Sequence, residues 1–379
     1  MDASESLELR RGPDHAATGL LEAWRGDRRI AAFVESETPG STTVALVGRE
    51  APMDPAEIRA LLDALTAHVP TGLELATTDP LVRDVARRHG FAGPLRGTLV
   101  PAPSGPPGWT DDPAGVRDAV QQLLPEIIVG MESNAGPARV LLRRAVSGVA
   151  KSFNLFAGPD ENAPATRFSI PFRDDLLVES LARCIDTTIA IRRRFGAVAS
   201  SARRVSFDHA DFQLLHGQNA GSADRSSGII HMNASLASVV GLMAMETRRT
   251  ERGSGGSAGV LAPFNQIDGT TAHEMWHQME GAIEGRRAMT GIELRRQLGQ
   301  ALGVETLEQA VNGARTRSPD SWKVAHARLV DEVSAYGAIA PVEATAEMFK
   351  LWWCASSEPT AIVRRFAELV QPILAAYPG

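Results

Sequence analysis

The segment Thr271-Ala272-His273-Glu274-Met275-Trp276-His277 holds residue types at a spacing that could do chemistry. On a helix, side chains four apart lie on one face, so the rings of His273 and His277 project toward one point. Two neutral imidazoles so placed can share one zinc ion, at about 2.0–2.1 Å per nitrogen. Glu274, next to the first ligand, can then serve as general base for a metal-activated water. The plain alternative is a polar helix face without metal. Gly269-Thr270-Thr271 offers a hydroxyl N-cap to either kind of helix.

A catalytic zinc site needs a third protein ligand and leaves the fourth position to water. A histidine ten residues past His273 could supply it, but position 283 is Ile. Glu280 shares the helical face, yet its Cα lies about 10 Å up the axis at 1.5 Å per residue. It therefore reads as a polar surface residue or a hydrogen-bonding support of the site. The remaining candidate stretch is Ser334-Ala335-Tyr336-Gly337-Ala338-Ile339-Ala340-Pro341-Val342-Glu343-Ala344-Thr345-Ala346-Glu347-Met348-Phe349.

That stretch resembles the downstream glutamate helix of gluzincins, above all the anthrax lethal factor type. The type has a Ser-x-Tyr-Ala/Gly lead-in, a Glu seven residues after the Tyr, and an Ala-Glu-x-Phe tail. Here these are Ser334-Ala335-Tyr336-Gly337, Glu343, and Ala346-Glu347-Met348-Phe349. Glu343 falls 66 residues past His277, which suits a second helix packed antiparallel to the first. The resemblance spans roughly residues 205–355 and includes Gly228-Ile229-Ile230-His231-Met232-Asn233, where the family places a substrate-facing edge strand.

The resemblance implies Zn2+ as cofactor, held by His273, His277 and Glu343. It implies that Glu347, one turn after Glu343, accepts the second N–H of His273. It gives Tyr336 the role of pointing its phenol at a forming oxyanion. His231, alternating with apolar residues on the expected edge strand, reads either as a substrate contact or as an ordinary hydrogen-bonded histidine. A peptide would add as a strand along 228–233. His209 and His216 sit beside Asp211 and Gln218, but no ligand spacing supports a second metal there. Residues 252–259 (RGSGGSAG) suggest a Gly/Ser flap beside the site, and they lack the Lys-Ser/Thr ending of a phosphate loop.

The elements that must position these residues follow from periodicity and turn signals. Residues 113–131 and 137–149 read as helices, and 152–157, 166–170, 204–207 and 227–233 as strands. A long helix is expected over 174–195, then one over 234–245, the motif helix over 270–283, and further helices to the C-terminus. Residues 101–111 (PAPSGPPGWTD) are a Pro/Gly linker and the expected domain boundary. Before it, strand signals at 28–36, 41–48, 72–76 and 97–100 alternate with helices at 55–68 and 80–89.

Leu73 to Phe91 (LELATTDPLVRDVARRHGF) resembles the C-terminal half of GNAT-type acyltransferases. That family grips acyl-CoA pyrophosphate with a Gly-rich loop before a helix. Here the loop is Gly48-Arg49-Glu50-Ala51-Pro52-Met53-Asp54-Pro55, with one glycine, two prolines and two acids. The expectation is a GNAT-like scaffold without acyl-CoA chemistry, serving recognition or packing.

Composition bounds the reading. The chain has 379 residues, 44% hydrophobic and 22% charged, which excludes a disordered chain or a coiled-coil rod. No stretch is long and apolar enough to span a bilayer. The start MDASESLELRRGPD has no apolar run of a secretory signal, and two cysteines make no disulfide framework, so a cytoplasmic location is expected. A net charge of −6 offers no footprint for nucleic acid. The basic residues are arginines apart from Lys151, Lys323 and Lys350, which reads as codon bias.

The expected fold class is α+β. A mainly helical zincin-like domain with a small mixed sheet (112–379) would follow a GNAT-like α/β module (1–102) and the 103–111 linker. The expected function is zinc-dependent hydrolysis of a peptide or amide bond. The alternatives are hydrolysis of a small-molecule amide in a biosynthetic pathway and a catalytically silent binding protein on the same fold.

Overall fold

Turn residues cut the N-terminal segment into a meander. Strands β1 (Leu7–Arg11), β2 (Leu20–Arg25), β3 (Arg28–Thr38) and β4 (Ser41–Arg49) pair antiparallel, and β5 (Leu73–Ala76) joins β4 in parallel. Gly40 turns β3 into β4 at a φ of 91°, where a side chain would be strained. Helix α1 (Pro55–His68) buries Ile58, Leu61, Leu62 and Leu65, the apolar stripe that its spacing predicts. Asp54 and Glu57 close a reciprocal capping box at its start. Helix α2 (Pro80–Arg88) is capped by Asp79. The short pair β6 (Phe91–Ala92) and β7 (Val100–Pro101) follows.

Helix α3 (Pro113–Leu123) stops before Pro125 instead of running on to Met131 as its periodicity suggested. A proline cannot continue a helix, and β8 (Ile128–Met131) begins there. With β9 (Ser152–Gly158), β10 (Thr166–Pro171), β11 (Arg204–Asp208), β12 (Gly221–Asp224) and β13 (Ile229–Asn233) it forms a six-stranded mixed sheet. Its order is β12-β13-β11-β10-β9-β8. Helix α4 (Val178–Ala199) bends at Gly196, whose φ is 50°. The C-terminal part is helical: α5 (Gln266–Arg286), α6 (Ala288–Leu302), α7 (Leu307–Asn312), α8 (Asp320–Glu332), α9 (Pro341–Trp353) and α10 (Ala361–Ala375).

The computed structural model describes residues 7–12, 18–49, 53–102, 112–131, 152–160, 164–171, 175–208, 220–243, 266–286, 288–355 and 358–377. In these the chain is a mixed α+β protein, and no helix is long and apolar enough to cross a membrane. The expected helix at 137–149, most of the 101–111 linker, His209, His216 and the 252–259 loop lie outside the described residues.

The chain divides into two compact units, and the division departs from the expected one. The first holds Met1–Pro125, Phe172–Arg183 and Ala234–Asn265; the second holds Glu126–Pro171, Cys184–Asn233 and Gln266–Gly379. Composition marks the 103–111 linker but not which later segments fold back. In the first unit, the Leu177 N–H donates to the Ala237 carbonyl at 2.8 Å, and Glu179 pairs with Arg83 at 3.3 Å.

In the second unit α5 is buried along its length from Ile267 to Glu280. Trp276 stacks on Phe349 of α9 at 5.1 Å between ring centroids and meets Phe366 of α10 edge-on at 5.2 Å. Such contacts add to the large area that each ring buries. Phe349→Ala should therefore lower unfolding free energy by about 3–5 kcal/mol. Urea melts should show a lower midpoint with an unchanged slope.

Candidate metal centre

Ala272, Met275, Trp276, Met279 and Ile283 make the apolar stripe of α5, and all are buried. His273, His277 and Glu280 occupy the adjoining stripe, also buried. Helix α9 passes antiparallel to this stripe. A Cβ on Gly269 would touch the Lys350 stem, His273 meets Glu347, and His277 meets Glu343. Pro341 opens α9 at a first-turn position that needs no N–H, so Glu343 falls in its first turn.

The result is a tight group. His273 Nε2 lies 3.0 Å from Glu343 Oε2 and 3.1 Å from His277 Nε2. His277 Nε2 lies 3.6 Å from the same carboxylate oxygen. Four ligands on a tetrahedral ion with bonds of about 2.0–2.1 Å stand about 3.3 Å apart, so these three edges fit such a site.

The donor set points the same way. His273 Nδ1 lies 2.9 Å from Glu347 Oε1, so this nitrogen carries the proton and donates. In the neutral ring Nε2 is then a lone pair, aimed at a carboxylate oxygen and a second imidazole nitrogen. Such a convergence needs a proton or a metal ion within it.

Without a metal the proton takes that place. Burial works against a charged His273, but hydrogen bonds to Glu343 and Glu347 outweigh it and raise its pKa to about 9. Burial also opposes ionisation of Glu343, and hydrogen bonds from both histidines hold it well below the usual carboxylate range. Glu347 is held down at about 2, where His273 and the Lys350 charge overcome burial. Lys350 Nζ lies 3.0 Å from Glu347 Oε1, and the Ser334 hydroxyl donates to Glu347 Oε2 at 3.1 Å. The same hydroxyl accepts the Gly337 N–H at 2.9 Å, so it orients Glu347 and closes the turn that carries Tyr336.

Glu274 differs from its neighbours. Its side chain is buried, and Oε2 has no hydrogen-bond partner. Burial raises its pKa to about 7; His273 opposes the shift, and the charges of Glu343 and Glu347 add to it. Gly221, at the start of β12, makes room for this carboxylate. A Cβ there would sit 2.8 Å from Glu274 Cγ and 2.9 Å from Oε1.

The Tyr336 ring lies 5.8 Å from that of His273. Burial, the Glu343 charge and a hydrogen bond to Glu343 raise its pKa, so the phenol stays a donor. A cavity of about 400 Å³ joins Gly221, His273, Glu274, His277, Tyr336 and Glu343. His231 is half-buried on β13, near enough for its charge to act on Glu274.

The site departs from the sequence reading at two places. Residues 228–233 were expected at the sheet edge, but β13 is interior, paired with β11 on one side and β12 on the other. The edge is β12, whose Gly-Ser-Ala-Asp carries no apolar alternation to announce a strand. Of the two readings of Glu280, the surface one fails and the hydrogen-bonding support of the site stands. The residue is 1% exposed and bound by Arg225 at 2.6 Å and by the Thr345 hydroxyl at 3.0 Å. Gly221 and Arg225 had no signal in the sequence, because each acts through a contact distant along the chain; Lys350 acts locally, one turn past Glu347, and was legible as an i,i+3 partner.

No family model, no curated protein and no solved structure matches this chain.

Two outcomes are expected. The folded pKa of Glu274 lies above its unfolded value, so its ionisation costs stability, progressively from about pH 4.5 to 7, and fully above that. In metal-free protein Glu274→Gln should add about 3 kcal/mol at pH 8 and nothing below pH 4, read from denaturant melts. Gly221→Ala should cost about 1–3 kcal/mol by overpacking. Adding Glu274→Ala in the same chain should return most of that loss, as a double-mutant cycle would show.

Proposed function

We propose that the chain is a zinc-dependent hydrolase of the gluzincin kind, cleaving a peptide or amide bond. On this reading the second unit has a zincin-like fold, the first a GNAT-like scaffold without acyl-CoA chemistry, and the protein works in the cytoplasm. The observation that carries it is the convergence of His273 Nε2, His277 Nε2 and Glu343 Oε2, with their donor atoms within 4.8 Å of one another. Zinc held there would lower the pKa of a bound water and polarise a carbonyl.

The chain's own residues then have separate tasks. Glu274, with a pKa near neutrality, takes a proton from water and returns it to the leaving amine. Its unpartnered oxygen faces no competing donor among the described residues. Tyr336 donates its phenolic proton in a hydrogen bond to the oxyanion. Glu347 holds His273 in the tautomer that leaves Nε2 free.

The edge strand β12 borders the cavity through Gly221, Ser222 and Ala223. An extended peptide pairing with this edge would lay its backbone beside Glu274. A small-molecule amide is the second reading, favoured by a cavity of about 400 Å³, near the lower end of small-ligand sites.

Elemental analysis tests the metal. Wild type and Glu274→Gln should each carry one zinc, and Glu343→Ala much less; full occupancy in Glu343→Ala would remove the ligand assignment. Peptide and short-amide libraries, incubated with wild type and Glu274→Gln, test the chemistry. Cleavage by wild type alone is expected, and equal inertness of both proteins would leave a binding function.

A further inference from the structure

Tyr336 opens a single 3-10 turn, Gly337–Ile339, between α8 and α9. Ser334 builds that turn with two of its atoms. Its carbonyl accepts the Ala338 N–H at 3.2 Å, and its hydroxyl oxygen accepts the Gly337 N–H at 2.9 Å. Its own N–H donates to the Leu329 carbonyl at 3.3 Å, so the turn hangs from the end of α8.

Closing such a turn takes only an oxygen lone pair, and an aspartate or asparagine oxygen does it as well. The proton of the Ser334 hydroxyl is therefore spare, and it has a definite acceptor. It goes to Glu347 Oε2 at 3.1 Å, while Glu347 Oε1 takes the Nδ1 proton of His273 at 2.9 Å. Gly337 lets the turn settle on this point. A Cβ there would meet Glu347 Cβ and Ser334 Oγ, each at 3.3 Å. Lys350 donates to both carboxylate oxygens, at 3.0 and 3.2 Å, and steadies the group from within α9.

The hydrogen bonds form one line. A backbone N–H can only donate and an ionised carboxylate can only accept, so the Ser334 hydroxyl accepts from Gly337 and donates to Glu347. At one end of the line is the turn that carries the Tyr336 phenol. At the other is the imidazole whose Nε2 faces His277 and Glu343.

We propose that Ser334 is a positioning residue that couples Tyr336, the oxyanion donor, to the metal ligand His273 through Glu347. This rests on the hydrolase reading above. One hydroxyl then fixes two settings together: the rotation of the carboxylate that orients His273, and the turn that aims the phenol. The two halves of the chemistry are held as one unit, although His273 and Tyr336 belong to different elements.

The test uses the full chain labelled with 3-fluorotyrosine. The chain has two tyrosines, Tyr336 and Tyr377, so fluorine NMR gives two resonances, and Tyr336→Phe assigns them. In metal-free protein Ser334→Ala and Glu347→Ala should each move the Tyr336 resonance and leave that of Tyr377 in place. The double variant should move it by less than the sum of the two. Ser334→Thr should restore the wild-type position. Ser334→Asp closes the turn but cannot donate, and it should behave as Ser334→Ala does; it carries the test if Ser334→Ala fails to fold.

Zinc affinity, from competition with a chromophoric chelator, is the second readout. Glu347→Ala should weaken zinc binding roughly 10- to 100-fold. Ser334→Ala should weaken it roughly 3- to 10-fold, the worth of one hydrogen bond. The double variant should bind as Glu347→Ala does, because Ser334 reaches the metal only through that carboxylate. An unmoved Tyr336 resonance in Ser334→Ala, wild-type behaviour of Ser334→Asp, or additive losses in the double variant would overturn the coupling. A wild type that takes up no zinc would sink the hydrolase reading alone. The fluorine measurements, made without metal, would still decide whether the hydroxyl joins the turn to the histidine.

Discussion

Lone pairs cannot be left facing one another in a buried site, and the second unit is built around three that do. His273 Nε2, His277 Nε2 and Glu343 Oε2 stand 3.0–3.6 Å apart. A proton or a metal ion among them relieves that repulsion. A proton on His273 is one solution, and its pKa of about 9 shows how strongly the two carboxylates favour it. A divalent ion is the other. The two compete, so metal entry must expel a proton, and the affinity for metal must fall with acid.

That constraint requires a frame that does not yield. Helix α5 is held on several sides. Gln278 donates to the carbonyls of Asp224 and Ile229 at 2.9 and 3.1 Å, which ties the helix to the turn between β12 and β13. Trp276 wedges against Phe349 and Phe366. Glu280 links Arg225, just past β12, with Thr345 of α9, so one carboxylate joins the cavity's rim to both helices. The pair is costly to bury, since desolvation raises the pKa of Glu280 while Arg225 and Thr345 oppose it. What it supplies is register: the glutamate two turns past His273 sets where the edge strand lies.

The parts of this arrangement legible in the sequence are those set by local geometry. His273 and His277 share a helical face because of a spacing of four, and no distant residue is needed to see it. The apolar stripe of α1 is legible for the same reason. Glu343, Glu347 and Tyr336 became legible through a resemblance of pattern, since nothing local says which glutamate 66 residues on will meet a histidine. Strand order was hidden: β13 has the apolar run of a strand, but its place inside the sheet depends on β12, a four-residue strand with little side-chain signal. Gly221 was hidden for a related reason. Its value lies in an atom it lacks, opposite a carboxylate 53 positions away.

Three glutamates within this one site show how environment divides labour among identical side chains. Glu343 is half-buried and Glu347 buried, yet histidine and lysine donors keep both ionised far below neutrality. Glu274 is buried as deeply as Glu347 and receives no donor on Oε2, so its proton affinity climbs to the neutral range. Two carboxylates pushed one way and a third pushed the other is the pattern by which acid and base tasks are separated on a single scaffold. A structural account of Glu274 would need a partner for its second oxygen. Stability alone would favour an apolar or amide side chain there, because an unsatisfied buried oxygen costs about 1–3 kcal/mol. The retained cost, set against a glycine that clears room for it, supports the proton-carrying role proposed for Glu274.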